Sequence, residues 1–371
     1  MRFFKIASVL LTIAGAVHAD EATALRKTEN VIFMMTDGLR WQEVFTGADK
    51  SLMTKQNGVD DAAAPGVAKA FWRDASEARR ELVLPFVWNV MAKQGQIFGN
   101  RNLKSDTRVT NGLKFSYPGY NETLCGFPDP RIDRNDYGPN PNVTVLEWLA
   151  RKPAFKGRVA ALAAWDAFDS ILNRDRCGFF VNAGFAPMPK DESNPQIELL
   201  NRLKAEIPRH WGEEPVDALT FYTALDYFKR HQPRVFFLSL GETDEWGHGG
   251  QYAAYLDSAK RADHYLKTLW ETAQAMPQYQ GKTTLLFAAD HGRGSGPTAW
   301  KDHGKDVEGA EYTWLAVLGP DTPSLGERAN IAEIQQGQIA ATIAALLGED
   351  FCGNVPKAAK PIGEVLAPAQ R

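Results

Sequence analysis

The sequence predicts an α/β fold in which a mostly parallel sheet carries helices on both faces. Three observations support this expectation. Short β-rich apolar runs recur along most of the chain, they lack polar alternation, and stretches of helical periodicity lie between them. An alternating run marks a strand with one wet face, whereas a continuous run marks a strand buried on both. Strands alternating with helices over the whole length point to one doubly wound domain.

Five runs define the expected strands: 31–35, 159–164, 235–240, 284–288 and 314–318. Three of them stop abruptly at acidic turns, Thr36-Asp37-Gly38, Gly241-Glu242-Thr243-Asp244 and Asp290-His291-Gly292. Ligands of such sheets bind beyond the carboxyl ends of the strands, so these carboxylates are expected to converge on one edge. Helical spacing over 215–230, 254–276 and 331–347 supplies the cover, the last stretch being stopped by Gly348. Segment 48–85 has no strong strand run and reads as a cap or insertion.

Residues 1–19 form a separate element. Arg2 and Lys5 precede an apolar run from Ile6 to Ala16, and small residues at Val17 and Ala19 fit a secretory cleavage site. The run is too short to span a bilayer, so a cleaved signal peptide is expected, leaving 20–371 as a single domain in a periplasmic or secreted protein. Loss of Arg2 and Lys5 leaves 40 basic against 45 acidic side chains, a formal charge of −5. That mild acidity argues against a nucleic-acid partner or a membrane surface. No second apolar segment approaches the ~20 residues of a membrane span, and nothing in the sequence fixes an oligomeric state. Cys125, Cys177 and Cys352 leave room in an exported chain for one disulfide and one thiol, with the pair undetermined.

The polar residues at the strand ends carry the chemistry. Asp244 and His248 are four residues apart, which on a helical turn puts both within reach of one metal. Asp290 and His291 are adjacent donors at a strand end, and Gly292 is expected at positive φ to allow a sharp turn. His303 follows in a Gly/Ser/Pro-rich loop, and Asp37 closes the first strand, where a helix N-cap is the plain alternative. Each signal is weak alone; together they place three carboxylates and three imidazoles at predicted strand ends or in the loops after them. Mixed Asp/His donors suit zinc better than magnesium or calcium, and six of them divide into two three-ligand sites. Ser116 lies in Ser116-Tyr117-Pro118-Gly119-Tyr120, expected as a loop. A nearby metal would lower its hydroxyl pKa and make it a nucleophile; a turn serine bonding its own backbone is the alternative. Trp41, Tyr120, Trp246 and Trp300 flank these motifs, either packing or offering surfaces for a nucleobase.

Taken in order, Asp-Gly, Ser116, Thr-Asp-x-x-Gly-His, Asp-His-Gly and a last His resemble the alkaline phosphatase superfamily, most of all its nucleotide pyrophosphatase/phosphodiesterase branch. The resemblance covers roughly 31–348, because 339–348 is similar to the family's late helix. It implies an α/β/α sandwich with a mostly parallel central sheet. It also implies one divalent metal on Asp37, Asp290 and His291, bridged by Ser116, and a second on Asp244, His248 and His303. Zinc is expected in both, with Mn2+ or Mg2+ as alternatives. The implied partner is a small-molecule phosphate ester, a monoester or diester hydrolysed through a phosphoseryl intermediate. Asn135 is expected at the family's phosphate-contacting position, with Asn140 its competitor. Two departures stand out: Ser116 replaces the branch's threonine, and Cys125 replaces the threonine before Gly126. Sulfatases share the fold, but their [Cys/Ser]-x-Pro-x-Arg motif would need arginine where Tyr120 stands. A phosphotransferase and a non-catalytic metal- or phosphate-binding protein are the remaining alternatives.

Overall fold

The computed structural model describes residues 26–366, so the expected leader at 1–19 lies outside the described residues. Along the chain the strands are β1 (Asn30–Thr36), β2 (Gln96–Phe98), β3 (Thr107–Arg108), β4 (Val159–Ala163) and β5 (Phe180–Ala183). They continue with β6 (Val235–Leu240), β7 (Thr283–Ala289), β8 (Leu315–Leu318), β9 (Gly326–Glu327) and β10 (Ile334–Gln335). Eight of them form one sheet in the order β5-β4-β6-β1-β7-β8-β2-β9, and β10 pairs with β3 apart from it. From β5 to β7 every pairing is parallel. The run at 314–318, expected among the parallel strands, instead lies antiparallel to β7 as β8. A parallel neighbour needs a crossover, and the β7–β8 connection contains only the one-turn helix Gly296–Ala299. β2 is antiparallel to β8, which returns it to the direction of the main sheet.

Period-two geometry sends alternate side chains of one strand into different cores. In β1, Ile32 and Met34 enter one core while Val31, Phe33 and Met35 enter the other. Helices Asp217–His231 and Tyr252–Gln274 cover the first face through Phe221, Phe228, Tyr255 and Leu266. Helices Ser116–Cys125, Val145–Ala150 and Gln338–Leu346 cover the second through Tyr117, Leu124, Leu149 and Ile343. The result is the expected α/β/α sandwich with a mostly parallel sheet.

The structure departs from the sequence reading at several points. β2 and β5 are short and carry polar Gln96 and Asn182, which hid them among loops. The helix expected over 331–347 is confined to Gln338–Leu346, because Ile334 and Gln335 pair with β3. It does end at Gly348, whose φ of +76° is the left-handed stop. Segment 48–85 holds helices Ala64–Phe71 and Ser76–Val83 and sends Leu52, Val59, Phe71 and Val83 into the first core. The cysteines form no disulfide; all three are free, and Cys125 and Cys177 are buried. No described helix is long and apolar enough to cross a membrane.

Candidate active site

β6, β1 and β7 are neighbours at the middle of the sheet, so their carboxyl ends deliver Asp37, Asp244 and Asp290-His291 to one place. Past β6 the chain turns at Gly241 into helix Glu242–His248, which sets Asp244 and His248 one turn apart as expected. Asp37 caps no helix. Instead its carbonyl accepts the Thr243 hydroxyl, while Gly38 N–H donates to Asp290 Oδ1 at 3.0 Å. Gly38 has φ +59°, and a Cβ there would sit 2.4 Å from Asp244 Oδ1, so close approach of the two turns requires glycine.

Two groups of donors face each other. In the first, His291 Nε2 is 3.2 Å from Asp37 Oδ1 and 3.4 Å from Asp290 Oδ2. Ser116 Oγ lies 3.5 Å from Asp37 Oδ1 and 3.4 Å from His291 Nε2. In the second, His248 Nε2 is 3.1 Å from Asp244 Oδ2 and 2.9 Å from His303 Nε2, which is 3.6 Å from Asp244 Oδ1. The groups touch through His291, 3.9 Å from Asp244 Oδ1 and stacked on His303 with centroids 3.9 Å apart. His291 Nδ1 is 2.9 Å from the Gly292 carbonyl and His303 Nδ1 3.1 Å from the Lys114 carbonyl. Donation to those carbonyls leaves each Nε2 lone pair turned into the cluster, the orientation a metal ligand needs.

The electrostatics favour cations. Burial, then Asp244, pushes Asp37 up to about 7, and burial, then Asp37, pushes Asp290 well above the carboxylate range. Burial pushes His291 down to about 4. Asp244 is held well below its usual value: burial opposes ionisation, but Arg293 and His303 outweigh it. Asp290 Oδ2 is buried without a hydrogen-bond partner. Two mixed Asp/His groups, Asp37/Asp290/His291 and Asp244/His291/His303, bring their donor atoms within 4.8 Å of one another. Crowded carboxylates, an orphaned oxygen and aimed imidazoles fit divalent metals. His248 adjoins the second group from the exposed rim.

Ser116 does not sit in a loop. It opens the buried helix Ser116–Cys125, in which Pro118 is tolerated because first-turn N–H groups have no partner within the helix. Gly119 lets this helix press on β7's end, since a Cβ there would meet the Asp290 carbonyl at 2.5 Å. Asn135 Oδ1 accepts Tyr117 N–H at 3.1 Å, placing that side chain beside the serine. Asn140 is fully buried and bonds Asn121 and the Ile171 carbonyl, away from it. Tyr120 donates to Asp37 Oδ2 at 3.1 Å, and buried Trp300 donates to Asn57, so neither is free to stack on a ligand. Trp41 and Trp246 remain half-buried.

Sequence reasoning missed the supports. Fully buried Arg293 pairs with Asp244 Oδ1 and donates to the Trp300 and Lys301 carbonyls. Glu122, buried on the helix of Ser116, accepts the N–H groups of Thr110 and Asn111 and both their side chains. Asn111 Oδ1 in turn accepts Leu113 and Lys114 N–H, which holds Lys114 at φ 57° with its carbonyl on His303. Gly292 is not at positive φ; it is glycine because a Cβ would meet the Tyr312 carbonyl at 2.2 Å. Arg293 follows Asp-His-Gly directly, a signal that adjacency alone could have raised.

No protein-family model matches the chain, and no curated protein does. Solved structures do match its shape. Wild-type alkaline phosphatase PafA is similar with a TM-score of 0.56 and 11% identity, over 92% of this chain and 99% of that one. A phosphonate monoester hydrolase from Silicibacter pomeroyi gives 0.53 and 14%, over 93% of this chain and 78% of that one. BT1596, a 2-O GAG sulfatase, gives 0.54 and 13%, over 93% and 76% respectively. The fold that brings these seven side chains together is therefore an alkaline phosphatase-like one, shared with these three structures.

Proposed function

We propose that this chain is a metal-dependent hydrolase of phosphate esters in which Ser116 is the nucleophile. The observation that carries the reading is Ser116 Oγ at the head of a buried helix, 3.4 Å from His291 Nε2 and 3.5 Å from Asp37 Oδ1. Asp37, Asp290 and His291 would hold one divalent cation beside Ser116, and Asp244, His248 and His303 a second. Zinc is the cation the mixed donors suit best, with Mn2+ or Mg2+ as alternatives. Bound there, two cations would lower the serine pKa and neutralise charge on the attacking and leaving oxygens.

The residues then divide the work. Ser116 Oγ gives up its proton to solvent and attacks phosphorus in line, and the P–O bond to the alcohol breaks on the Asp244/His248/His303 side, the departing alkoxide taking a proton from solvent. Water next attacks the phosphoseryl group, releasing phosphate or a phosphate monoester and restoring Ser116. Asn135, whose Oδ1 is engaged by Tyr117, offers its Nδ2 to a phosphate oxygen. An alcohol replacing water would make the same site a phosphotransferase. The names of the similar structures, a phosphatase, a phosphonate monoester hydrolase and a sulfatase, support hydrolysis at this fold's site. Sulfate esters are disfavoured, since Tyr120 stands where the sulfatase motif has arginine. We also infer export, carried by residues 1–19: the mature mass is expected to begin at Asp20.

The test is turnover of p-nitrophenyl phosphate, bis-p-nitrophenyl phosphate and p-nitrophenyl sulfate, with and without chelator. Chelator-sensitive cleavage of a phosphate ester is expected; cleavage of the sulfate alone would overturn the reading. Ser116→Ala should keep both metals and lose roughly 10²-fold or more in turnover, the scale of losing a transition-state group. Ser116→Thr, which keeps the oxygen, should retain more. Acid quench with a labelled ester should mark the peptide containing Ser116, and full activity of the Ala variant would refute covalent catalysis.

A further inference from the structure

Helix Tyr252–Gln274 buries one face in the first core and leaves another to solvent, where Lys260, His264 and Lys267 follow one another at helical spacing. Facing that stripe, the chain enters the helical segment Val87–Met91 through Pro85 and Phe86. Asp263 pins the two elements together. Its carboxylate is buried and accepts the N–H groups of Phe86 and Val87 at 2.8 and 2.9 Å. First-turn N–H groups have no partner within their own helix, so this carboxylate both satisfies them and sets the spacing of two walls.

Between the walls lies a cavity of about 610 Å³, a size typical of small-molecule sites. Its floor is apolar, with Phe86 4% exposed and Val90 half-buried. Its mouth is basic, with Lys260 and Lys267 exposed on either side of half-buried Arg261. Buried Glu242 holds one edge of the Arg261 guanidinium, whose remaining N–H groups have no protein acceptor among the described residues. A planar guanidinium fixed in this way offers its other donors already oriented. Lys260 has no carboxylate partner, lying only 5.5 Å from the Phe71 ring, and Lys267 reaches Glu271 at 3.7 Å. Asp257 is the one exposed acid of the lining, since Asp263 is taken up by the two amides. In a chain with 45 acidic against 42 basic side chains, this mouth reverses the local sign of charge. No lining residue belongs to the donor cluster. Positions 257–267 lie about 8 to about 22 Å along the axis from the start of their helix.

We propose that this cavity binds a small amphiphilic anion, an apolar ring or short chain ending in a carboxylate, sulfonate or phosphate. The apolar body lies on Phe86 and Val90, and the anionic end meets Arg261, Lys260 and Lys267. Occupancy of this site does not depend on the phosphate-ester reading above.

Calorimetric titration with 4-phenylbutyrate and 4-phenylbutanamide, which share one body and differ in charge, tests the site. Wild type should bind one equivalent of the acid about tenfold more tightly than the amide, the scale of a charge-assisted hydrogen bond. Lys260→Gln/Lys267→Gln alters only exposed side chains. In that variant the ratio should fall several-fold, while amide affinity and p-nitrophenyl phosphate turnover hold. Equal affinities or no binding in wild type, or a variant in which acid and amide weaken alike or not at all, would overturn the proposal. Competitive inhibition of turnover by the acid would also overturn it, by seating the anion on the donor cluster. Recruitment of the protein to phosphatidylglycerol vesicles, lost in the double variant, would overturn it in favour of a lipid surface.

Discussion

Replacing Glu122 with glutamine should weaken the fold and loosen one metal at the same time. Its carboxylate is fully buried and serves four donors, the backbone and side chain of Thr110 and of Asn111. Burial raises its pKa and those donors pull it back, so the group is costly to strand. In Glu122→Gln one oxygen remains as acceptor and an NH2 group faces donors that need one. Two donors lose their partner, at about 1–3 kcal/mol each, or about 2–6 kcal/mol in sum. Unfolding entropy near 2.1 cal/mol/K per residue gives roughly 0.7 kcal/mol/K for a domain of this size, so Tm should fall by about 3–9 °C. The same change releases Asn111, hence the Lys114 carbonyl that orients His303. Loss of such an outer partner typically weakens a metal about 10–100-fold, here one metal of two. Thermal melts and chelator-competition titrations on one preparation read both effects. A drop in Tm with two unchanged metal affinities would refute the link between Glu122 and His303.

Further outcomes follow from the same coordinates. His248→Ala and Asp290→Ala should each lose metal and activity, while His264→Ala, on the exposed side of helix Tyr252–Gln274, stays near wild type; equal losses in all three would deny a ligand role. Arg293→Gln should weaken one metal by about tenfold or more, because Asp244 loses the partner that fixes it; an unchanged titration would make Arg293 mere filler. Burial pushes the Lys204 amine down to about 8, where it bonds Asn182 and the Gly184 and Ala186 carbonyls. Between pH 8 and its unfolded value of about 10.5 the unfolded chain binds more protons, so stability rises with pH, by up to about 3 kcal/mol. Denaturant melts across that window should give wild type a more positive slope of stability with pH than Lys204→Met, the buried cysteines and tyrosines contributing alike to both; parallel profiles would refute the assignment.

What the sequence revealed and what it hid have one physical cause. Asp37, Asp244, Asp290 and His291 follow continuous apolar runs, and a strand's end is encoded locally by where that run stops. His248 was readable because a helical turn fixes the geometry of residues four apart. Ser116 was found by its place in an ordered set of motifs, while its helix was hidden by Pro118 and Gly119, residues whose local preference is overruled by burial against β7. Glu122 and the role of Arg293 went unread because their partners, at 110–111 and 244, are supplied by tertiary packing, adjacency to Asp-His-Gly being the one local mark of Arg293. β8 reversed direction for a reason of connection, which composition does not carry.

β1 is hydrogen-bonded along both edges, to β6 and to β7, and these are the three strands that end in the acidic turns. Amide groups in such a position exchange with solvent only when the whole domain opens, whereas β5 and β9 at the two edges can open alone. The donor cluster consequently has no private route of unfolding. Stripping the cations should speed exchange of the amides of 31–36, 235–240 and 283–289 together and by one common factor, the binding free energy lost from the whole domain, and a chelated protein that stays folded should reload without refolding. The electrostatic tension among the crowded carboxylates is thus borne by the part of the molecule least able to relax it.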